Sequence, residues 1–407
     1  MIARQAVRRK LRGSGLARAG GFPEDVRMNV PAPSAPSLAA LADRCVQCGL
    51  CLPTCPTYRL AGLEAESPRG RIALARALDT GALAPTPVLD GHLDACLGCR
   101  RCEAVCPAGV DYGAVLTGVR AGQRARRPPG LRQRAIEALA ARPRTLARLL
   151  DVYRCVWPLL PRAARPLPRP PAPAARTPPP RDIPASDATA ALFTGCVARG
   201  YDAALFDAVA RLAAAAGLAL ETPSAQTCCG TLHAHAGAAD RAAALADANR
   251  AAFAGHALVI GLSSGCHEAI ADALAGRAVV RDAIDVLAER ADRLRFAPRT
   301  ERVALHLPCT QRNVVRSDGA LRALLAKVPG LEIVDLDAGL GCCGATGTAM
   351  LADPARAATF RQPLLDQLAG SGATVVLSAN IGCRLHLANG TAVPVRHPLE
   401  FLAECLA

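Results

Sequence analysis

Lysine is nearly absent from this sequence. Lys10 and Lys327 are the two lysines in 407 residues, so arginine carries almost all of a net charge of +14. Aromatic residues are also scarce, at 3%. With few stacking side chains, and with arginines scattered or placed in proline-rich stretches, the positive charge does not describe a nucleic-acid interface. It fits a solvated face, or a surface turned toward acidic lipid or an acidic partner subunit. No run of 18 or more apolar residues occurs, which excludes a membrane-spanning helix. G-x-S-x-G, P-loop and H-E-x-x-H motifs are also missing, so a self-sufficient enzyme is unsupported. Met1 to Gly20 is basic but has no continuous apolar core, and Arg8-Arg9 lacks the apolar stretch that follows a twin-arginine export signal. The arginine-rich start has a mild transit-peptide character that alanine/arginine bias also produces, and Met28 is an alternative start. The expectation is a cytoplasmic protein.

Cysteine, by contrast, is abundant: eighteen residues, which in a reducing compartment reads as metal ligation rather than disulfides. Eight of them form two identical runs, Cys45-x2-Cys48-x2-Cys51-x3-Cys55-Pro56 and Cys96-x2-Cys99-x2-Cys102-x3-Cys106-Pro107. Three thiolates spaced by two residues wrap one loop around three irons of a cubane. The fourth ligand comes from elsewhere, in two-cluster ferredoxins from the other motif. The pattern therefore predicts two [4Fe–4S] clusters, one on Cys45, Cys48, Cys51 and Cys106, the other on Cys96, Cys99, Cys102 and Cys55. Zinc would leave the third closely spaced cysteine and the Cys-Pro step unexplained. Between the motifs, Ser67-Pro68 reads as N-cap and first turn of a helix through Arg69 to Leu78, so this module is expected to be helical.

The rest of the chain divides by composition. Residues 36–125 hold the two-cluster ferredoxin domain. Residues 126–187 hold helical stretches (Leu131 to Ala141, Thr145 to Val156) and a linker, Pro166 to Pro184, too proline-dense for a regular element. Residues 188–298 and 299–407 are two copies of one pattern. Ala190 to Cys196 matches Val303 to Cys309, Cys228-Cys229-Gly230 matches Cys342-Cys343-Gly344, and Leu258 to Cys266 matches Val375 to Cys383. Short β-branched runs end at cysteine-bearing loops and precede Ala/Leu helices, which predicts two small α/β units. Sites in such units form beyond the carboxyl ends of the strands, where one repeat's four thiols can converge. The candidate sets are Cys196, Cys228, Cys229 and Cys266, and Cys309, Cys342, Cys343 and Cys383. They read as further iron–sulfur ligands, a redox or structural thiol set, or buried cysteines. Cys155 and Cys405 stand alone and read as small buried hydrophobes. Gly339-Leu340-Gly341-Cys342-Cys343-Gly344 fits a dinucleotide fingerprint, but the equivalent Gln226 to Gly230 lacks two of its glycines.

The repeats resemble the cysteine-rich CCG domain of heterodisulfide reductase subunits, in which the last cysteine belongs to a C-x2-C pair. Here the partner positions are Ala269 and His386, and the reductases' double-cubane chemistry is not expected. His386 as a substitute ligand is the lesser reading beside an ordinary polar contact. Taken whole, two ferredoxin motifs followed by two CCG repeats resemble the iron–sulfur subunit of glycolate oxidase (glycolate dehydrogenase). The likeness rests on Cys45 to Cys51, Cys55-Pro56-Thr57-Tyr58, Ser67 to Ile72, His92-Leu93-Asp94 and Asn380 to His386. It implies a subunit of an oxidoreductase complex, acting in glyoxylate metabolism. FAD-linked partner subunits oxidise glycolate, and this chain passes the electrons onward to membrane quinone from the cytoplasmic face of the inner membrane. The FAD belongs to those partners. The alternatives are the iron–sulfur subunit of anaerobic glycerol-3-phosphate dehydrogenase or of another 2-hydroxy-acid dehydrogenase, a heterodisulfide-reductase-like thiol enzyme, and a structural assembly protein.

Overall fold

The computed structural model describes residues 37–161, 164–172, 188–339 and 342–407. The twin arginine, Met28, most of the Pro166–Pro184 linker, and Leu340 and Gly341 of the glycine-rich stretch lie outside these residues.

The N-terminal module is built of helices, at Leu38–Ala42, Pro56–Ala61, Pro68–Asp79, Pro87–Asp94, Arg101–Ala104 and Tyr112–Arg126. Their starts follow from local chemistry. Ser67 accepts a hydrogen bond from the Gly70 amide, Thr86 from that of Leu89 and Asp111 from that of Ala114; Pro68 and Pro87 fill first-turn positions where a missing N–H costs nothing. Each such cap contributes about 1 kcal/mol. The apolar faces close on a core of Ile72, Ala75, Leu93, Tyr112, Val115 and Val119, with Cys96 at its edge.

Two further helices, Leu131–Ala140 and Pro143–Val156, lead toward the repeats. Residues 166–172 of the linker carry neither helix nor strand. Cys155, expected to be a buried hydrophobe, is exposed; it sits in the last turn of the second of these helices. Cys405 is fully buried.

Each repeat is a four-stranded parallel sheet with helices on its faces. The first uses β1 (Ala188–Phe193), β2 (Leu218–Glu221), β3 (Leu258–Gly261) and β4 (Val279–Asp282), in the order β2-β1-β3-β4. The second uses β5 (Arg302–Leu305), β6 (Glu332–Asp335), β7 (Val375–Leu377) and β8 (Val395–Arg396), in the matching order β6-β5-β7-β8. In both, the strand order reverses beside the first strand, which leaves a crevice at the carboxyl ends.

The period-two alternation of the strands divides two cores between their faces. Ala190, Leu192 and Ile260 of the first sheet and Val303, Leu305 and Leu377 of the second join one continuous core, completed by Leu205, Leu212, Ile284, Leu321 and Phe401. The opposite faces carry Ala191, Phe193 and Val259 against Cys228 and Cys229, and Ala304 and Val376 against Cys343 and Cys383. One side of each sheet therefore welds the repeats together while the other supports the thiols. No helix among the described residues is long and apolar enough to cross a membrane.

Candidate metal centres

The eight ferredoxin-type cysteines gather at two cavities. Cys45, Cys48, Cys51 and Cys106 line the first, together with Cys102, Ile72 and Tyr112, around about 440 Å³ of space that includes open solvent. Cys55, Cys96, Cys99 and Cys102 line the second, together with Pro56, Thr57, Arg71 and Tyr112, around about 310 Å³ on the same measure. Both loops curl by the same device. Gln47 and Gly49 in the first motif, and Gly98 and Arg100 in the second, adopt left-handed backbone two and four residues after the leading cysteine. This turns successive thiols inward. Cys48 is exposed, and Val46 and Leu50 beside it are 69% and 56% accessible, so the first cavity lies at the surface. Cys96 and Cys99 are buried.

Polar groups are aimed at these sulfurs. The Tyr112 hydroxyl and the Gly98 amide each donate to Cys96 Sγ at 3.4 Å, and Thr57 Oγ1 lies 3.2 Å from Cys55 Sγ. Donors of this kind stabilise thiolate charge and tune a cluster's potential. Arg71 organises the set. Only 2% accessible, it donates to the Thr57 hydroxyl (2.9 Å), the Glu66 carbonyl (2.6 Å) and the His92 carbonyl (2.7 Å), and it pairs with the Glu66 carboxylate. The sequence marked Arg71 as part of Ser67 to Ile72 without giving it a role.

The repeat cysteines also converge. In the first repeat Cys228 contacts both Cys196 and Cys229, and Cys229 contacts Cys266. In the second, Cys309 contacts Cys342, and Cys343 contacts Cys383. Hydrogen bonds donated by Cys228 and Cys266 hold the Cys229 thiol below its ordinary range. Those donors are pushed up in turn, Cys228 by its bonds to Cys196 and Cys229, Cys266 by its bond to Cys229 and by burial. Cys309 is lowered in the same way by Cys342. Buried thiols so crowded cannot all ionise alone; a bound cation would allow it. The donor set thus fits a metal or iron–sulfur group.

The histidines separate clearly. His386 donates from Nε2 to the Ala357 carbonyl (3.1 Å), the ordinary polar contact, and burial pushes it down to about 4. His306, at the end of β5, instead places a ring nitrogen within 4.8 Å of the Cys343 and Cys383 sulfurs. It is buried and likewise pushed down to about 4, so it is a neutral imidazole. Sequence reasoning passed over it; the repeat alignment, which sets His306 against Phe193, carried the signal.

The second ferredoxin motif docks on the second repeat. Asn313 donates to the Cys99 carbonyl (2.8 Å), Thr346 to that of Leu97 (2.8 Å) and Arg356 to that of Ala95 (2.6 Å). Cys99, Cys309 and Cys342 pack in one cluster with Leu97 and Phe360. Burial, then the neighbouring Cys309, pushes the Cys99 thiol up.

The family described as a 4Fe-4S dicluster domain matches residues 41–110, and the cysteine-rich (CCG) domain matches twice, at residues 190–271 and 303–388. The glycolate oxidase iron-sulfur subunit of Escherichia coli (strain K12) is 29% identical over 422 residues, covering 94% of this chain and 98% of that protein. The probable glycolate oxidase iron-sulfur subunit of Bacillus subtilis (strain 168) is 29% identical, covering 85% and 88%. A subunit of the dihydromethanophenazine:CoB--CoM heterodisulfide reductase of Methanosarcina barkeri (strain Fusaro) is 25% identical, covering 89% and 94%.

Proposed function

Since the chain joins a 4Fe-4S dicluster domain to a duplicated cysteine-rich domain and resembles glycolate oxidase iron–sulfur subunits along nearly all its length, we propose that it is the electron-carrying subunit of a glycolate-oxidising complex. Residues 36–125 form the carrier module, 126–187 a spacer, and 188–298 and 299–407 the two repeats. Cys45, Cys48, Cys51 and Cys106 hold one [4Fe–4S] cluster; Cys55, Cys96, Cys99 and Cys102 hold the other. Bound there, the clusters supply reversible one-electron chemistry.

The observation that carries this reading is the continuous placement of thiols. They run from the exposed Cys48, through the buried Cys96 and Cys99, to Cys309 and Cys342 of the second repeat. The protein's own residues supply the insulation and the fixed spacing. Ile72, Leu97, Tyr112 and Phe360 exclude water, while Asn313, Thr346 and Arg356 lock the second motif against the repeat. FAD on partner subunits oxidises the hydroxy acid, because removing two electrons from a carbinol needs a flavin or nicotinamide acceptor and a base. The acceptor beyond this chain is membrane quinone, met peripherally at the cytoplasmic face, where the net positive charge favours acidic lipid.

The resemblance to a heterodisulfide reductase component supports a second reading, a thiol enzyme acting through the CCG cysteines. Burial weighs against it. Cys228, Cys229, Cys342 and Cys343 are at most 5% accessible, which leaves a bulky disulfide no approach to their sulfurs.

The test is glycolate-dependent dye reduction. The purified chain alone should give none, and the complex reconstituted with it should be active. Replacing wild-type protein by Cys106→Ser should reduce electron flow to quinone by at least tenfold. Turnover by the flavin-free chain alone overturns the proposal, as does normal flow to quinone after both ferredoxin clusters are removed. Reduction of a heterodisulfide by the purified protein would favour the second reading.

A further inference from the structure

The two repeats differ at one pair of positions where their sheets meet the thiols. In the first, Phe193 and Gly261 are register partners at the ends of β1 and β3. Phe193 packs against Phe253, with ring centroids 6.2 Å apart, and joins the apolar cluster around Cys228 and Cys229. In the second, the equivalent residues are His306 and Ser378, each one step beyond the paired ends of β5 and β7. Both are buried, at 2% and 0% accessibility. The Ser378 hydroxyl lies 3.0 Å from His306 Nδ1, and the His306 amide is fixed by the Leu377 carbonyl at 2.9 Å. The imidazole is therefore held by both its backbone and its ring.

We propose that His306 is a metal ligand of the second repeat, completing with Cys309, Cys342, Cys343 and Cys383 a mixed nitrogen–sulfur iron site that the all-thiol first repeat does not have. The assignment rests on the reading of the repeat cysteines as iron–sulfur ligands and specifies what one of those sites contains.

Its geometry is that of a ligand whose other ring nitrogen is held by a hydroxyl. Metal-bound histidines engage one ring nitrogen with a hydrogen-bonding group that fixes tautomer and orientation. Here Ser378 engages Nδ1, which leaves Nε2 free for a metal, and a ring nitrogen of His306 lies within 4.8 Å of the Cys343 and Cys383 sulfurs. The change of Phe193 to His306 comes with that of Gly261 to Ser378, so the imidazole arrives together with the hydroxyl that orients it. His386 is committed to the Ala357 carbonyl and does not compete. The second repeat, which abuts Cys99, thus offers four thiols and a neutral imidazole where the first offers four thiols alone.

The test uses the full chain purified anaerobically, unlabelled and with ¹⁵N-histidine. Pulsed EPR on the paramagnetic centre remaining after the ferredoxin signals are accounted for should show one strongly coupled ¹⁴N, replaced by ¹⁵N on labelling. His306→Phe, which restores the first repeat's residue, should abolish the coupling and shift the midpoint potential of that centre. It should keep the about eight irons of the ferredoxin module, which doubles as the control for folding. His386→Ala should leave the coupling unchanged. Iron above eight with no coupled nitrogen in the labelled wild type overturns the ligand assignment while leaving the repeats as cluster sites. Iron at eight, with no additional centre, overturns both. The wild-type labelling experiment decides the matter even where the variant fails to fold.

Discussion

Arg384 and Asp202 form a buried ion pair across the two repeats, with Arg384 Nη2 2.8 Å and 2.7 Å from the two carboxylate oxygens. Arg384 follows Cys383 in the helix Ile381–Ala388, and Asp202 begins the helix Ala203–Ala215 that follows the Cys196 loop. Their side chains are 9% and 3% accessible, so each charge depends on the other. Removing one partner strands the other in the interior, at a cost of about 3–5 kcal/mol. Asp202→Ala should therefore lower the thermal midpoint by several degrees and loosen both repeats together, measured by anaerobic calorimetry. A change no larger than that of an exposed substitution such as Asp247→Ala would show that the pair does not hold the repeats.

Crossed ligation gives a second expected outcome. Cys55 lines the cavity of Cys96, Cys99 and Cys102 rather than that of its own motif. Cys55→Ser should alter the EPR signal of the cluster on those three cysteines and spare the one on Cys45, Cys48 and Cys51. Cys106→Ser should do the reverse. Loss of the Cys45-based signal in Cys55→Ser would show that each motif ligates its own cluster.

A third concerns Arg71. Its guanidinium serves Thr57, Glu66 and the His92 carbonyl at once, a planar fork that lysine cannot reproduce. Arg71→Lys should fail nearly as badly as Arg71→Met. Both should drop iron from about eight toward about four per chain as the second cluster is lost. Full iron content in Arg71→Lys would reduce Arg71 to a replaceable charge.

The fourth is a pH dependence. Asp282, buried at the end of β4, has its carboxyl pushed up to about 6 by burial; it accepts from the Ile284 amide at 2.9 Å and the Ser317 hydroxyl at 3.0 Å, while Asp285 adds like charge nearby. An acid whose pKa is raised on folding binds its proton more tightly when folded. Its contribution is favourable at low pH and lost as pH rises through about 6. Asp282→Asn removes that loss. The stability advantage of the variant should grow by about 1 kcal/mol between pH 5 and pH 7, each pKa unit being worth about 1.4 kcal/mol. A pH-independent difference between the two proteins would show that Asp282 is not protonated in the folded state.

What could be read from the sequence followed the range of the interactions. The ferredoxin motifs were plain because three of a cluster's four ligands lie within seven residues, and the Ser67-Pro68 helix start because a cap is set by its own first turn. The duplicated α/β units showed through their internal match. The convergence of Cys309 with Cys99 was not visible, since Asn313, Thr346 and Arg356 reach loops more than 200 residues away. His306 was hidden for the same reason: its neighbours arrive from two other segments. Cys155 shows the opposite error, for an isolated cysteine in an apolar-looking helix proved exposed.

The division of labour between sheet faces has a consequence for what one repeat could do alone. One repeat alone would present Leu205, Leu212 and Ile284 to water on the face that now meets Leu305, Leu321 and Phe401. An exposed apolar face of that kind calls for a partner, and the tandem arrangement supplies it within one polypeptide. Two halves joined this way need not share the symmetry of two identical copies, so that one carries His306 and Ser378 and receives the ferredoxin module while the other carries Phe193 and Gly261.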